Sequence, residues 1–339
     1  MIRTAVVILN WNGLAWIQKF LGTVVKYSTN KETIVCVADN GSSDGSSKWV
    51  RDNFPDVKVL DLGKNNGFAG GYNLALSQID ARYFVLLNSD VEVTPGWLDP
   101  LVSCLDDSPD IAACQPRIKS YNKKEYFEYA GAAGGFIDMY GFTFCRGRIF
   151  GRVEKDVGQY DDAVDIFWAS GACMAVRKEA WDKSGGLDNE FFAHMEEIDL
   201  CWRFHSAGLR VAYVPGSLVF HAGGGALPYE SEFKIYLNFR NNLFLLYKNL
   251  PDEKLGRTIF IRKMFDGLAA FRFLLLGKIR NVGAIRKAHR DFTNAIRENR
   301  VSRRFVNQLP EVNSVLPFLN KSVVFEFYLK GRKTFKSLL

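Results

Sequence analysis

The chain has 339 residues, 47% of them apolar, and a formal net charge of +7. That length fits one large or two modest domains, and the apolar share excludes a disordered protein. Six cysteines without a C-x-x-C pair argue against a zinc ribbon or a disulfide scaffold and predict a reducing compartment.

The start, MIRTAVVILNWNG, carries too short an apolar run for a signal peptide. Thr4 to Leu9 reads as a first buried strand, Asn10-Trp11-Asn12-Gly13 as the turn leaving it, and Leu14 to Tyr27 as a helix. Ile34 to Ala38 is a second strand, ending in Asp39-Asn40-Gly41-Ser42-Ser43-Asp44-Gly45. Asp44-Gly45-Ser46 can open the next helix. Val57 to Leu62 is a third strand and leads into Asn65-Asn66-Gly67-Phe68-Ala69-Gly70-Gly71-Tyr72-Asn73. Glycines so dense let backbone approach a ligand, and a helix opening there offers free N–H groups to phosphate. Tyr83 to Leu87 is a fourth strand, stopping at Asn88-Ser89-Asp90.

Strands alternating with helices predict βαβ units in an α/β fold with a mostly parallel sheet. Ligands bind beyond the carboxyl ends of such strands. Asp90 is therefore placed to hold a hard cation, and a hard cation can hold a diphosphate. Each loop alone is better explained as an ordinary turn. Together, at one sheet edge, they favour a nucleotide site. No G-x-G-x-x-G follows the first strand and no G-x-x-x-x-G-K-[ST] occurs, which disfavours dinucleotide and P-loop binding.

Gln115 to Ile118 is a further strand; Ser120 to Asp162 is rich in Gly, Tyr and Phe without a period and reads as a long acceptor-side excursion. After Phe167-Trp168-Ala169-Ser170-Gly171 come four acids close together: Glu190, Glu196, Glu197 and Asp199. If 196–206 is a helix, Glu196 and Asp199 share a face and Glu197 points about 100° away. Acids at a helix start are favoured by the dipole; packed together they also raise a carboxylate pKa, which suits a general base. Val211 to Val214 and Leu218 to Phe220 are short strands before His221-Ala222-Gly223-Gly224-Gly225.

The segments VVILNWNG, VADNGSSDGS, NNGFAGGYN and LLNSDVEV resemble the inverting, GT-A-fold family 2 glycosyltransferases, and more narrowly the rhamnosyltransferase-like branch that builds bacterial surface polysaccharides. The resemblance implies a nucleoside-diphosphate-sugar donor. Asp39 would contact the base, with Asn10, Asn40 and Asn66 beside it. Gly67, Asn73, Asn88 and Ser89 complete the expected donor contacts. Asp90 would be the last acid of the metal-binding D-x-D, here with Asn88 at its first position and Glu92 as a second candidate ligand for Mg²⁺ or Mn²⁺. The family's E-D-x-D-L-x-x-R reads Glu196-Glu197-Ile198-Asp199-Leu200-Cys201-Trp202-Arg203 here, which puts Glu197 at the base position with Glu196 and Asp199 as alternatives. His221 matches the family's H-x-G-G and is either a structural residue or a third metal ligand. Trp168 is either a core aromatic or a ring facing the ligands, and Arg240 falls in an R-N segment expected near the acceptor.

Residues 1–230 carry 22 Lys and Arg against 29 Asp and Glu; residues 231–339 carry 22 against 8. A boundary is therefore expected between Gly225 and Glu230, with a catalytic domain over 1–228 and a basic helical region over 229–339. Tyr236, Phe239, Leu243 and Leu246 form an apolar stripe in a helix starting near Tyr229. Lys254 to Gly277 and Ile279 to Glu298 predict two more helices. Their apolar faces either cover the catalytic domain or lie in an anionic bilayer interface. No window reaches the ~18 uninterrupted apolar residues of a membrane span, and no nucleic-acid motif is present. The expectation is a metal-dependent transferase, cytoplasmic and peripheral at the membrane, using a glycan or lipid-linked acceptor. The alternative is a catalytically silent nucleotide-sugar-binding scaffold of the same fold.

Overall fold

The computed structural model describes residues 2–223, 231–304 and 318–339. The boundary expected between Gly225 and Glu230 lies outside them. The chain begins with β1 (Ile2–Asn10), α1 (Leu14–Ser28), β2 (Thr33–Asp39), α2 (Ser46–Asn53), β3 (Lys58–Asp61), α3 (Gly67–Leu76) and β4 (Ala81–Asn88). It continues through β5 (Val91–Val93), α4 (Asp99–Asp107) and β6 (Ile111–Ser120). The stretch without a period holds β7 (Gly135–Asp138), β8 (Thr143–Cys145), β9 (Arg148–Ile149) and β10 (Arg152–Val153). Then come β11 (Val164–Asp165), β12 (Cys173–Arg177), α5 (Lys178–Ser184), α6 (Glu196–Ser206) and β13 (Arg210–His221). The last third is α7 (Glu232–Asn249), α8 (Asp252–Leu275), α9 (Ile279–Arg297), β14 (Phe318–Leu319), α10 (Val323–Tyr328) and α11 (Phe335–Leu338).

Among the described residues the main sheet has the order β11-β13-β6-β12-β4-β1-β2-β3, with β5 added on β13. Thr4 to Ile8 of β1 are buried without a break, as in a strand covered on both faces. Pairing is parallel through β3-β2-β1-β4 and between β6 and β13. β12 runs antiparallel to both β4 and β6. It enters from the carboxyl end of β4, where Asn88 N donates to Ala172 O, so it can only run back. The sheet is thus mostly parallel, with β12 set antiparallel between β4 and β6. β13 is one strand where two were expected; its register slips between Val214 and Leu218, across Pro215 and Gly216, which break a ladder without ending the strand.

One face is covered by α1, α2 and α4 through Ile17, Leu21, Val50 and Leu101. The other is covered by α3, α5 and α6 through Tyr72, Trp181 and Ile198. Leu243 and Leu246 of α7 belong to that same second core. Tyr236 and Phe239, expected in the same stripe, are only half-buried, because α7 buries Leu237, Asn241 and Asn242 instead.

Candidate active site

Strand register brings the polar ends together. Asn10 pairs with Asp39, Leu9 with Asn88, and Asp39 with Asp61. Asn10 Nδ2 donates to Ser46 Oγ at 2.8 Å, while its Oδ1 is enclosed with no partner among the described residues. A Cβ on Gly13 would stand 2.4 Å from that oxygen and 3.3 Å from Ser89 Oγ, so glycine is what lets the ends of β1 and β4 meet. Asp39 Oδ2 accepts from Ser42 N at 3.2 Å, and its Oδ1 is likewise enclosed without a partner among the described residues. Two buried acceptor oxygens without donors are costly unless a ligand supplies them. Asp44 caps two helices at once, its Oδ1 accepting from Ser46 N and its Oδ2 from Leu14 N.

The start of α3 differs from expectation. Asn66 N donates to Asn40 Oδ1 and Gly67 N to Asn65 Oδ1, while Phe68 N and Ala69 N donate to Phe192 O at 2.7 and 3.3 Å. The helix start offers phosphate no free donors at these positions. Gly67, at φ 72°, has the Phe192 ring 2.6 Å from where a Cβ would be. Asn73 donates to Leu187 O and Asn189 Oδ1 and accepts from Leu187 N. Of the residues expected to touch the donor, Gly67 and Asn73 hold the 187–192 segment against α3, while Asn40 and Asn66 tie the start of α3 to the end of β2.

That segment carries the acids. Phe192, His194 and Met195 all have positive φ (64°, 69° and 75°). Three non-glycine residues so close together in this region store strain that functional loops often hold. Arg240 and Asn241 of α7 brace it: Arg240 donates to Glu190 O and Phe191 O, and Asn241 Nδ2 lies within 2.9 Å of Phe191, Ala193 and His194 oxygens. Arg240 thus braces the loop rather than facing an acceptor.

Glu196 and Glu197 open α6, each with an enclosed Oε2 that has no partner among the described residues. Burial, then the Glu197 charge, pushes the Glu196 pKa well above the carboxylate range. Burial pushes Glu197 up to about 7, against backbone hydrogen bonds that pull it down. Asp199 behaves oppositely. Burial would raise its pKa, but Arg203 and Arg304 outweigh that and hold it below the usual range. Its Oδ2 pairs with Arg203 at 3.1 Å, and its Oδ1 takes Asn249 Nδ2 at 2.8 Å and Arg304. A carboxylate so committed does not serve as base, and Asp199 leaves the set of alternatives.

At the other corner His221 pairs with Val91 across the β5–β13 ladder. Its Nε2 is 3.1 Å from Asp90 Oδ1, and its Nδ1 is 3.3 Å from Glu128 Oε2. Burial would lower the His221 pKa, but Glu128 and Asp90 outweigh it and push it up to about 10. Glu92 points away and pairs with Lys124 at 2.6 Å. Glu128 was not legible in the sequence: it is one acid in an aromatic run, and only the fold puts it behind His221.

The Ser170–Gly171 turn joins the two corners. Its Ser170 Oγ donates to Ala130 O, two residues beyond Glu128, and Glu197 Cβ lies 4.0 Å from where a Gly171 Cβ would be. The buried Cys145 thiol, raised by burial, also feels both the Glu128 and the Glu197 charge. An open cleft of about 480 Å³ adjoins this corner, lined by Ser120, Tyr126, Glu128, Tyr129, Arg152 and Ala222. Trp168 is not in it: the ring is buried against Gly135 and Nε1 donates to Phe136 O at 3.0 Å.

Among the described residues no three His, Cys, Asp or Glu side chains converge as a metal cage. Asp90 Oδ1 and His221 Nε2 instead face each other at 3.1 Å. A cation there would have to displace the ring's proton, and would take its remaining ligands from water and a diphosphate.

A mixed α/β sheet with acids gathered beyond its carboxyl edge is the architecture of a GT-A-type protein. The family model for glycosyl transferase family 2 matches residues 5–184, over half of the chain, and the chain belongs to that family. An N-acetylglucosaminyl-diphospho-decaprenol L-rhamnosyltransferase of Mycobacterium tuberculosis is 28% identical over 228 residues, covering 60% of this chain and 71% of the relative. GalNAc-T7, solved with UDP, GalNAc and Mn²⁺, superposes with a TM-score of 0.59 at 18% identity over 75% of this chain and 49% of that one. S. aureus TarS 1-349 with UDP-GlcNAc superposes at 0.57 and 15% identity over 88% and 82%. These solved structures bear on the fold alone.

Proposed function

We propose that the chain moves a rhamnosyl or hexosyl group from dTDP-rhamnose or a UDP-hexose to a hydroxyl of a lipid-linked or polysaccharide acceptor, with inversion at the anomeric carbon. One observation carries this reading: Glu197, at the end of a strained loop, has an unpaired enclosed oxygen and a pKa near 7. A base with that pKa takes a proton from a hydroxyl at neutral pH. The acceptor oxygen attacks the anomeric carbon as the bond to the diphosphate breaks on the opposite face, and the proton ends on Glu197. Burial and the Glu197 charge push Glu196, beside it, well above the carboxylate range.

Asn10 and Asp39 would accept hydrogen bonds from the base N–H and the ribose hydroxyls through their free oxygens. Asn88 and Ser89, at the end of β4 beside Leu9 and Gly13, would meet the same ligand. Mg²⁺ or Mn²⁺ held by Asp90 and His221 would neutralise charge on the leaving diphosphate. The mycobacterial relative is named for rhamnosyl transfer to a diphospho-decaprenol. An acceptor of that kind would have this chain work peripherally at the cytoplasmic face of the membrane, with residues 1–228 as the catalytic domain and 229–339 on the acceptor and membrane side.

Glu197→Gln should bind the donor as wild type does in a thermal-shift titration and lose transfer by roughly 10²–10⁴-fold. Undiminished transfer would move the base to another residue. Wild-type protein that binds UDP or dTDP tightly, yet neither transfers nor hydrolyses the donor with Mn²⁺, would favour the silent scaffold, the reading that Asn88 supports.

A further inference from the structure

The polarity of α8 is inverted. Its inner face buries Thr258, Arg262 and Asp266. Arg262 Nε meets Asp266 Oδ1 at 2.9 Å, His289 Nε2 meets Asp266 Oδ2 at 2.9 Å, and the Arg262 guanidinium lies over the Phe142 ring. Its outer face is apolar: Phe260, Met264, Leu268, Phe271 and Leu275 recur every three or four residues, each more than half exposed. Side chains at that spacing form a single stripe. The stripe runs on into exposed Leu276 and Ile279, and Arg272 reaches Tyr328 OH at 3.5 Å, which brings exposed Tyr328, at the end of α10, and Leu329 after it alongside. A contiguous apolar surface of this kind marks an interaction site.

Charge identifies what covers it. Residues 254–290 hold ten Lys and Arg and a single acid, the buried Asp266. Exposed Arg272 flanks the stripe on the helix, and Lys278 follows its end. A second copy would meet this face through the same patch and bring like charges together. Anionic lipid meets both features at once, apolar side chains entering the acyl boundary and cations meeting headgroups. No helix among the described residues is long and apolar enough to cross a membrane, so the contact is one of lying on the surface.

We infer that the outer face of α8, extended by α10, is a docking surface for an anionic phospholipid bilayer. The inference deepens the proposed transfer to a lipid-linked acceptor and rests on that reading for its purpose, though not for its test. Full-length protein is floated with vesicles of phosphatidylcholine alone or with about 30 mol % phosphatidylglycerol, an anionic surface. Wild type should float with the anionic vesicles only, and less at high salt. Leu268→Glu/Phe271→Glu changes two exposed positions; it should keep the wild-type melting temperature and lose at least tenfold in partitioning. Equal flotation of the two proteins, or no flotation of wild type, overturns the inference. So does a dimer of wild type that the double variant dissolves without any vesicle binding. Flotation of a wild type that fails to bind any nucleotide sugar would sustain the docking surface and sink the transfer reading alone.

Discussion

At the residue scale, the acids of α6 divide by what surrounds them. Asp199 is held ionised by two arginines, while Glu197 has burial and no countercharge. Transfer measured as kcat/KM should therefore rise with pH and level off above about 7, as Glu197 loses its proton. Stability should move the other way. The folded pKa lies above the ordinary value of 4.5, so the folded state holds the extra proton, and stability falls as pH rises from about 4.5 to about 7. Glu197→Gln should remove that loss and melt higher than wild type at pH ~8, by at most about 3 kcal/mol in a denaturation series. A variant no more stable than wild type at that pH would mean that the carboxylate is solvated in the native state. Spacing alone separated Glu197 from Glu196 and Asp199; Arg203, four residues on, was legible in the motif, but Arg304 was not, because it is 105 residues from Asp199.

At the element scale, the strained 192–195 segment is held by α7 rather than by its own sequence. Asn241 Nδ2 is shared among the Phe191, Ala193 and His194 carbonyls. Asn241→Ala should cost roughly 2–4 kcal/mol, since buried acceptors are left unmet, and should lower kcat more than it weakens donor binding. Equal kcat with normal stability would show that the loop holds itself. Gly67→Ala should act on the same segment from α3, because its φ of 72° and the Phe192 ring 2.6 Å from the new Cβ both oppose it. A loss of about 1–3 kcal/mol in thermal or urea unfolding is expected. The alternating strands and helices of the first third were legible because unbroken apolar runs meet polar turns there. The second sheet, ordered β10-β9-β8-β7-β14, was not, since its strands have two to four residues and too few positions to establish a period. The R-N segment was legible as a motif, but its partners are carbonyl groups, which a sequence does not display.

At the scale of the whole molecule, the swing from acidic to basic near residue 230 marks a change of surface more than a break in packing. Leu243, Leu245 and Leu246 of α7 lie in one core with Tyr72, Trp181 and Leu200, together with Phe292 and Val323. Lys248 and Arg304 both pair with Asp188, and Arg304 also pairs with Asp199, so cations from the basic third neutralise acids of the preceding part of the chain. Removing residues 229–339 would uncover several large apolar side chains, each worth roughly 1.5–3 kcal/mol when buried, and would leave Asp199 with only Arg203. The sum approaches the whole stability of an ordinary domain, about 5–15 kcal/mol. Residues 1–228 alone should therefore show no cooperative thermal transition by circular dichroism. A sharp transition within about 5 °C of the full chain would show that the catalytic sheet stands without the helices, because a loss of even a few kcal/mol shifts a midpoint further than that.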